Sequence, residues 1–574
     1  MHNKFFPAFF SLLIFVASGI YITFPLAFHL GDMSVGIGDE LVISWIQNWV
    51  IHILQTGNIL SLFEANTYFP YHNTLAYSDL FLTSSILAFI PFQIMKEPIV
   101  IFNFTLLSSL ILLGFSIYLL SFYLTKNFLP SLLAGILVIY SPAVLDKSTH
   151  VQILAIFWVP LSVLFYLIFI YSGKTRYLVI SLLFFLLQTY NSFLPGYFII
   201  FSLLIISMYF FLYKESLMLK LLTKKTIGLF VLTSVLLLPV VLPYYQVSNE
   251  FNYTRDIRET IHFALQPEDF FYPSVHTRLQ DYLLAIPFNQ QAPERYFKPG
   301  YIGFVFSLLS SIAIFYCIKF FRRKDAVINS FISIAFVGGI LSLGSALHLG
   351  RQTIHDPFPI PLPYALFYYL LPGFQGFRNS ARWEMLFILC MAVAIAIVLS
   401  QLLKRFSFKS RIAVYLLFIL LVVAEFKFPI TLVNIPQTKE FPSVYSWLNT
   451  TPANTSVIFM PAYNWNMTYP QEEILRQYFS TTNFRRTVNG YSGFSPPPWQ
   501  NLLEKLRSDF PSEETLKSIK NLGVTYIIID KRMYDLEFEE GKTEFDGQFV
   551  INRLKQCPSL TFVGKREEYY IFKF

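Results

Sequence analysis

The chain has 574 residues, of which 55% are hydrophobic and 14% are charged, and its mean hydropathy is +0.52. Soluble proteins carry about a quarter charged residues, so this composition excludes an ordinary soluble enzyme and indicates a polytopic membrane protein. The net charge of +8 does not indicate nucleic-acid binding, because the basic residues lie in short clusters between apolar runs. Cys317 and Cys390 lie inside apolar runs and leave Cys557 alone, which excludes a disulfide framework and a cysteine-based zinc site.

Apolar runs of helical length predict about eleven membrane spans, since a bilayer core takes about 20 apolar residues. The first run is predicted to be an uncleaved helix, because its flank is barely basic and no small-residue cleavage site follows. The run 81–95 is predicted to be juxtamembrane or re-entrant, and the run 177–190 is short for a span. The predicted spans are residues 5–28, 99–124, 128–145, 151–171, 177–190, 198–213, 227–242, 301–318, 326–347, 385–403 and 412–428.

The basic residues predict the topology. With a cytoplasmic N-terminus, the inside loops are those around Lys126, around Lys174 and Arg176, and at 214–225, 319–324 and 404–411; each is basic, as the positive-inside rule requires. Counting 81–95 as a span would place the later basic loops outside. We therefore predict a transmembrane domain at 1–429, with external loops 29–98, 243–300 and 348–384, and an extracytoplasmic domain at 430–574, in the plasma membrane.

Two external parts have recognisable patterns. Residues 41–54 are amphipathic, with Trp45 and Trp49 on one helical face, which indicates an interfacial helix with its tryptophans at headgroup level. The tail indicates a small α/β domain: helices near 444–448, 472–479 and 516–521, the last closed by Gly523, strands at 456–460 and 524–529, and a hairpin from 560–563 and 569–574.

Asp39 and Glu40 follow the first span closely, in a glycine-flanked turn just before the tryptophan segment. The functional interpretation is a general base at the membrane surface, where partial desolvation raises the pKa of a carboxyl. The structural alternative is a pair of solvated acids at a helix N-terminus. Asp79 is either a second acid of the same pocket or the N-cap of the segment that follows it. His150 lies at the outer end of a span and is either structural or in contact with substrate.

Arg378 and Arg382 precede the span 385–403 and are four residues apart, which predicts one helical face. Two guanidinium groups there suit a phosphate or pyrophosphate. The alternative is snorkelling to headgroups together with a salt bridge to Glu384. The sequence has no phosphate-cradling glycine loop, paired CxxC, HExxH or nucleophile elbow, which argues against an ATPase, a dehydrogenase or a zinc peptidase.

Several short stretches together resemble the membrane glycosyltransferases of the GT-C fold, most of all the branch near protein-mannosyltransferase-like and YfhO-like bacterial membrane proteins. The resemblance covers nearly the whole chain. Its stretches are Gly38-Asp39-Glu40 with Trp45 and Trp49, Tyr68-Phe69-Pro70 with Thr74-Leu75-Ala76 and Ser78-Asp79, His150-Val151-Gln152, Pro372 with Arg378 and Arg382, and, in the tail, residues 488–493 and 523–530.

The resemblance implies a transferase that moves a sugar from a polyprenyl-phosphate carrier to an extracytoplasmic glycan, lipid or protein. In such enzymes an acid of the first external loop is the catalytic base, which corresponds here to Asp39, with Glu40 as its catalytic neighbour. Asp79, His150, Arg378 and Arg382 are expected to bind substrate. No cofactor is implied with certainty, although a divalent metal ion is compatible with the chemistry.

Two other functions remain open from the sequence. A transporter or flippase of a lipid-linked cell-envelope intermediate also needs arginines beside helices, but transporters usually show internal repeats, and none is found here. A non-enzymatic assembly protein would not depend on Asp39 or on the two arginines. The donor sugar, the acceptor and the linkage are not indicated.

Overall fold

A computed structural model describes residues 5–221, 223–285, 300–320, 325–349, 352–353, 359–427 and 429–574. Parts of the predicted external loops 243–300 and 348–384, and most of the predicted basic loop 319–324, lie outside these ranges. The chain forms two compact units. Unit 1 comprises Met1–Phe28, Thr105–Pro239 and Tyr253–Thr431, and unit 2 comprises His29–Phe104, Val240–Asn252 and Leu432–Phe574.

The protein is mostly helical. Up to residue 285 the helices are α1 (Phe5–Ile22), α2 (Asp39–Thr56), α3 (Leu82–Met95), α4 (Ile99–Thr125), α5 (Phe128–Ile139), α6 (Pro142–Leu145), α7 (Val151–Leu154), α8 (Trp158–Ser172), α9 (Thr175–Thr189), α10 (Phe193–Leu221), α11 (Lys224–Glu250), α12 (Ile257–His262) and α13 (Gln280–Leu284). From residue 300 they are α14 (Phe304–Phe320), α15 (Ala326–Ser342), α16 (Pro363–Leu370), α17 (Glu384–Leu402), α18 (Phe408–Glu425), α19 (Ser443–Asn449), α20 (Pro470–Phe479), α21 (Pro497–Asp509), α22 (Glu513–Asn521), α23 (Lys531–Glu539) and α24 (Gly547–Lys555).

Five helical stretches in the described part of the chain are long and apolar enough to cross a membrane: Ile99–Thr125, Val151–Ser172, Phe193–Lys214, Lys224–Glu250 and Ser380–Arg405. Six further apolar helices are shorter, among them α3, α9 and α14. This finding supports a membrane protein. The predicted number of eleven spans is not established by it, because helices of 10–17 residues fall short of the length that a bilayer core requires.

Unit 1 is built around α17, whose side chains are buried almost throughout its length. This helix packs against α5, α14 and α15. A Cβ on Gly338 of α15 would lie 2.7 Å from the backbone nitrogen of Phe387, so the glycine lets the two helices approach closely.

Unit 2 contains a five-stranded sheet with strand order β6-β5-β7-β9-β8. Its strands are β5 (Ser456–Met460), β6 (Arg486–Thr487), β7 (Tyr526–Asp530), β8 (Thr561–Arg566) and β9 (Tyr569–Lys573); the four two-residue strands before them are β1 (Met33–Ser34), β2 (His348–Leu349), β3 (Gln352–Thr353) and β4 (Val433–Asn434). β5 runs parallel to β6 and β7, whereas β9 is antiparallel to β7 and β8. β5 is buried on both faces, which explains its continuous apolar sequence.

The loop after the first helix also belongs to unit 2, where α2 packs against α20 and α3. The expected interfacial position of residues 41–54 is wrong, because Trp45 and Trp49 are 3% and 7% exposed inside this unit. Their indole N–H groups donate to Asn66 Oδ1 (3.0 Å) and to the Leu62 carbonyl (2.8 Å). The amphipathic pattern therefore serves protein packing on both faces of α2.

Candidate functional site

Asp39 and Glu40 form the first turn of α2, and their side chains have different surroundings. Asp39 is exposed, whereas Glu40 is only 3% exposed. Glu40 Oε2 accepts a hydrogen bond from the backbone N–H of Gly38 at 2.9 Å. The buried carboxyl thereby pairs with a backbone donor at the start of the helix, where such groups lack partners within the helix. The predicted acid pair is thus one accessible carboxyl and one buried carboxyl.

Gly36 leaves the space that the Glu40 carboxyl occupies. A Cβ built on Gly36 would overlap Oε1 and would lie 2.8 Å from Cδ and 2.9 Å from Oε2. Burial raises the pKa of Glu40 above its ordinary value, the hydrogen bonds from backbone N–H groups oppose this, and the charge of Asp39 adds to the rise. The turn at 36–40 therefore encloses a carboxyl group whose pKa is raised.

Asp79 lies elsewhere in unit 2, two residues after a short 3-10 turn, Thr74–Tyr77. It is not the N-cap of the following helix, because α3 begins after Phe81, whose side chain makes no capping bond. The neighbouring Ser78 carbonyl accepts a hydrogen bond from Tyr244 Oη at 2.7 Å. The N-cap alternative for Asp79 is therefore wrong, while its predicted role in substrate binding stays a prediction.

His150 lies in unit 1, in the irregular segment that joins α6 to α7. It is half-buried and occupies the N-cap position of α7 without a capping bond from its side chain. Its Nδ1 lies 2.8 Å from Thr149 Oγ1. The structure thus gives this histidine a local polar partner, and its proposed contact with substrate stays a prediction.

Asp146, four residues before His150, is the centre of a polar cluster in unit 1, and 11% of its side chain is exposed. Its Oδ1 accepts a hydrogen bond from Ser274 Oγ at 2.8 Å and lies 3.6 Å from His276 Nε2. Its Oδ2 is buried and has no hydrogen-bond partner in the described part of the protein. A buried oxygen with an unused acceptor position is costly, which marks this carboxyl as a candidate functional group.

Burial sets the ionisation of both members of this pair. It raises the pKa of Asp146 to about 7, against the opposing effects of Lys147 and of the Ser274 hydrogen bond. Burial, with the charge of Lys427, lowers the pKa of His276 to about 4. At neutral pH the imidazole is therefore uncharged, and the 3.6 Å contact is not an ion pair.

Glu384 is a second enclosed carboxylate near this cluster. It is the first residue of α17, is fully buried, and neither of its oxygens has a hydrogen-bond partner among the described residues. Lys147 Nζ lies 3.9 Å from its Oε2. The alternative interpretation paired Glu384 with Arg378 and Arg382. The structure instead places Lys147, which is adjacent to Asp146 in the chain, near this carboxyl group.

Arg378 and Arg382 are not on one α-helical face, so this expectation is wrong. Arg378 lies in an extended segment, and Arg382 lies in a 3-10 turn, Ser380–Trp383, before α17 begins. Arg378 is exposed, and its guanidinium lies 5.2 Å from the ring centroid of Phe263. A guanidinium over an aromatic face keeps the N–H groups at its own edge available, which is compatible with an anionic ligand.

The six predicted site residues are divided between the two units: Asp39, Glu40 and Asp79 are in unit 2, and His150, Arg378 and Arg382 are in unit 1. The sequence interpretation missed the cluster of Asp146 with Ser274 and His276. One signal was available, since Asp146 lies only four residues before His150, in the short segment between two predicted spans. The residues at 274 and 276 gave no signal, because they are more than a hundred positions away.

Metal binding was left open by the sequence. Among the described residues, no group of three or more His, Cys, Asp or Glu side chains is placed to hold a metal ion. Asp146 and Glu384 contribute one carboxyl each to the buried part of unit 1, but the other close groups are a lysine, a serine and a neutral imidazole. The described residues around Asp146 thus do not form a group of three such ligands.

No family model and no curated protein matches the chain. Solved structures that resemble it include the arabinofuranosyltransferase AftD from Mycobacteria, at 12% identity over 99% of this chain and a TM-score of 0.49. The archaeal oligosaccharyltransferase AglB from Archaeoglobus fulgidus, in complex with an inhibitory peptide and a dolichol-phosphate, matches at 13% identity over 98% of this chain, with a TM-score of 0.46. The apo form of the Archaeoglobus fulgidus oligosaccharyltransferase matches at 12% identity over 95% of this chain, with a TM-score of 0.48.

The chain spans 39% of the length of the mycobacterial arabinofuranosyltransferase and 74% of the archaeal oligosaccharyltransferase. These similar structures are glycosyltransferases, which is the class of protein that the short sequence motifs of this chain resemble. At such identities, and with TM-scores below 0.5, the likeness assigns no activity and no residue role to this chain.

Proposed function

We propose that this protein is a membrane glycosyltransferase that moves a sugar from a polyprenyl-phosphate carrier to an extracytoplasmic glycan, lipid or protein. The observation that carries the proposal is the placement of Asp39: an exposed carboxyl on the first residue of a helix whose next twelve residues, 40–51, are buried. A general base must reach the proton it removes and must be held by a rigid element. α2 meets both requirements at this one position.

Rigidity at Asp39 follows from the packing of α2 within unit 2. Trp45 and Trp49 are anchored by hydrogen bonds, and Asn48 Nδ2 donates to the Pro98 carbonyl at 3.0 Å. Glu40 closes the preceding turn through Gly38. We assign Glu40 a positioning role, because a side chain that is 3% exposed does not touch a substrate without moving.

In the proposed reaction, Asp39 accepts the proton of an acceptor hydroxyl, whose oxygen attacks the anomeric carbon of the polyprenyl-linked sugar. The bond from that carbon to the phosphate oxygen breaks, and its electron pair leaves with the lipid phosphate. A single displacement inverts the anomeric configuration. Base catalysis of this kind contributes about 10²–10⁴-fold to the rate.

We assign the charge of the departing phosphate to Arg378 and Arg382, and contacts with the sugar or the acceptor to Asp79 and His150. The exposed Arg378, stacked on Phe263, supports this assignment, since guanidinium groups bind phosphate through planar pairs of N–H donors. Fixed positive charge at a leaving group is usually a large contribution to catalysis. No step of this proposal requires a metal ion.

The proposal includes the topology: about eleven spans within 1–429, a cytoplasmic N-terminus, and an extracytoplasmic α/β domain at 430–574 in the plasma membrane. The supporting observations are the basic loops between the apolar runs and the five long apolar helices. An extracytoplasmic tail would place the sheet of unit 2 on the same side as Asp39.

The test is turnover of polyprenyl-phosphate-linked sugars by the full-length protein in liposomes, with released polyprenyl phosphate as the readout. Asp39→Asn keeps the size of the side chain and removes its basicity, so release is expected to fall by about 100-fold or more. Glu64→Gln is the matched control, because Glu64 is another exposed acid of unit 2 and pairs with His72 at 3.0 Å. Its activity is expected to equal that of the wild type.

Equal release by wild type, Asp39→Asn and Glu64→Gln would refute Asp39 as the base. Passage of the lipid across the bilayer with its sugar still attached, and without release in any variant, would instead establish the flippase alternative. Unfolding midpoints of the variants in detergent distinguish loss of chemistry from loss of structure.

A further inference from the structure

The sheet of unit 2 has a point at which its strand order reverses. β5 and β7 are parallel neighbours; the chain continues from β5 to β6 on one side of this pair and from β7 to β8 on the other. Connections that diverge in this way leave a gap outside the carboxyl ends of the strands, which is where open α/β sheets bind their ligands. We call residues 461–476 and 530–532, which follow these two strand ends, the switch edge.

An exposed tryptophan lies on the turn that follows β5. Trp465 is 60% exposed, although tryptophan is largely buried in most proteins. The turn around it is ordered by Asn464, whose Oδ1 accepts the N–H of Asn466 at 3.0 Å and whose carbonyl accepts the N–H of Met467 at 3.2 Å. Asn464 itself is buried. The indole is therefore presented by a hydrogen-bonded turn with a buried base.

An accessible ion pair joins the two helices that begin at the switch edge. Arg532 of α23 donates through Nη2 to Oε2 of Glu472 in α20 at 2.9 Å. The same Nη2 lies 3.4 Å from Asp530 Oδ2. The Arg532 side chain is 56% exposed, so its other N–H groups can reach a ligand. The pair thus offers donors and an acceptor side by side.

A buried layer holds this pair in place. Arg476 and Glu473 are both buried, and their side chains meet at 2.9 Å. Arg476 Nη2 lies 3.8 Å from Asp530 Oδ2, the oxygen that also faces Arg532. Asp530 is fixed in turn as the N-cap of α23, where its Oδ1 accepts the N–H of Met533 at 3.3 Å. The exposed groups therefore rest on a preorganised support, and each guanidinium already has a carboxylate partner.

We propose that the switch edge binds a neutral glycan. Sugar hydroxyls donate and accept hydrogen bonds at once, so a guanidinium beside a carboxylate suits them. The apolar face of a sugar ring packs on an exposed indole, as on other large amphipathic ring surfaces. An acidic glycan or a phosphate would instead meet the carboxylates of Glu472 and Asp530 beside Arg532.

The position in the sheet argues against a peptide as the ligand. An extended peptide adds to the free edge of a sheet, whereas β5 and β7 are interior strands in the order β6-β5-β7-β9-β8. The inference deepens the proposed function and rests on it, because it selects the glycan among the three proposed classes of acceptor. It uses none of the residues that are assigned to the transfer reaction.

The test is binding of the full-length protein in detergent, without donor, to an array of neutral and acidic microbial oligosaccharides, followed by titration of the strongest binder. We expect a neutral member to bind wild type, and Trp465→Ala to weaken this binding about ten-fold through the loss of the stacked ring. Trp465→Phe keeps a smaller ring and is expected to weaken it about three-fold. Phe562→Ala is the matched control, because Phe562 is an exposed aromatic residue on β8, away from the switch edge. It is expected to stay within about two-fold of wild type.

Equal binding of the neutral oligosaccharide by wild type and Trp465→Ala overturns the inference, as does binding of no array member or a preference for acidic members. A preference for an array of extended peptides would identify a peptide site and would also overturn it. The proposed function is tested separately by release of polyprenyl phosphate: release without glycan binding refutes this inference alone, and glycan binding without release refutes the transferase alone. Trp465 is exposed, so its variants are expected to keep the unfolding midpoint of wild type.

Discussion

The contact between Gly36 and Glu40 predicts a large local effect of a single methyl group. In Gly36→Ala the new Cβ would overlap Glu40 Oε1 and lie 2.8 Å from its Cδ. Either the overlap persists, or the carboxyl moves away and loses its 2.9 Å bond from the Gly38 N–H inside a buried site. Overpacking costs about 1–3 kcal/mol and an unsatisfied buried group costs a similar amount, so the expected destabilisation is about 1–3 kcal/mol by either route.

Hydrogen exchange measures this effect where it arises. The first turn of α2 opens locally, so its amides report the local free energy of opening. A loss of 1–3 kcal/mol corresponds to exchange that is about 5- to 150-fold faster for amides near residues 38–43. Because the same turn carries Asp39, release of polyprenyl phosphate is expected to fall as well, with the acceptor affinity and the turnover changing together.

A double-mutant cycle supplies the control. In the Glu40→Ala background the carboxyl is absent, so the methyl group of Gly36→Ala has room and is expected to cost less than about 0.5 kcal/mol further. The reasoning is refuted if Gly36→Ala costs the same with and without Glu40, or if it leaves exchange at the start of α2 unchanged.

Two further predictions concern ionisation and topology. Between about pH 4 and 6.5 the folded protein binds more protons at Asp146 and fewer at His276 than the unfolded chain does, so their effects on stability oppose each other. In His276→Asn only Asp146 remains, and the free energy of unfolding is expected to fall by up to about 1.4 kcal/mol per pH unit as the pH rises from about 4 to 7. In Asp146→Asn the free energy of unfolding should instead rise from about pH 4 to 6.5. Unfolding midpoints with the same pH dependence in both variants would contradict this prediction. For topology, Cys557 is half-buried while the other two cysteines are buried. A membrane-impermeant maleimide added to intact cells is therefore expected to label the wild-type protein at Cys557 and not to label the Cys557→Ser variant. Labelling of the protein only after permeabilisation would place the tail inside the cell.

The sequence determined those features that depend on local pattern. Long apolar runs correspond to the long helices, because a helix in lipid satisfies its own backbone hydrogen bonds whatever lies beside it. The buried strand β5 coincides with the apolar run 456–460, and the helix at 470–479 begins close to the predicted one. The glycine-flanked acid pair at 39–40 was found for the same reason, since turn residues and a helix start are read from neighbours in the chain.

Tertiary structure alone decided how the groups of the candidate site are buried. An amphipathic helix has the same sequence pattern whether it lies on lipid or between two protein layers, and only the packing of α2 against α20 and α3 buries its tryptophans. The difference between the exposed Asp39 and the enclosed Glu40 is likewise invisible in two adjacent acids. Asp146 meets Ser274 and His276 across more than a hundred residues, and their opposite pKa shifts arise from shared burial, a property of the folded chain rather than of any segment of it.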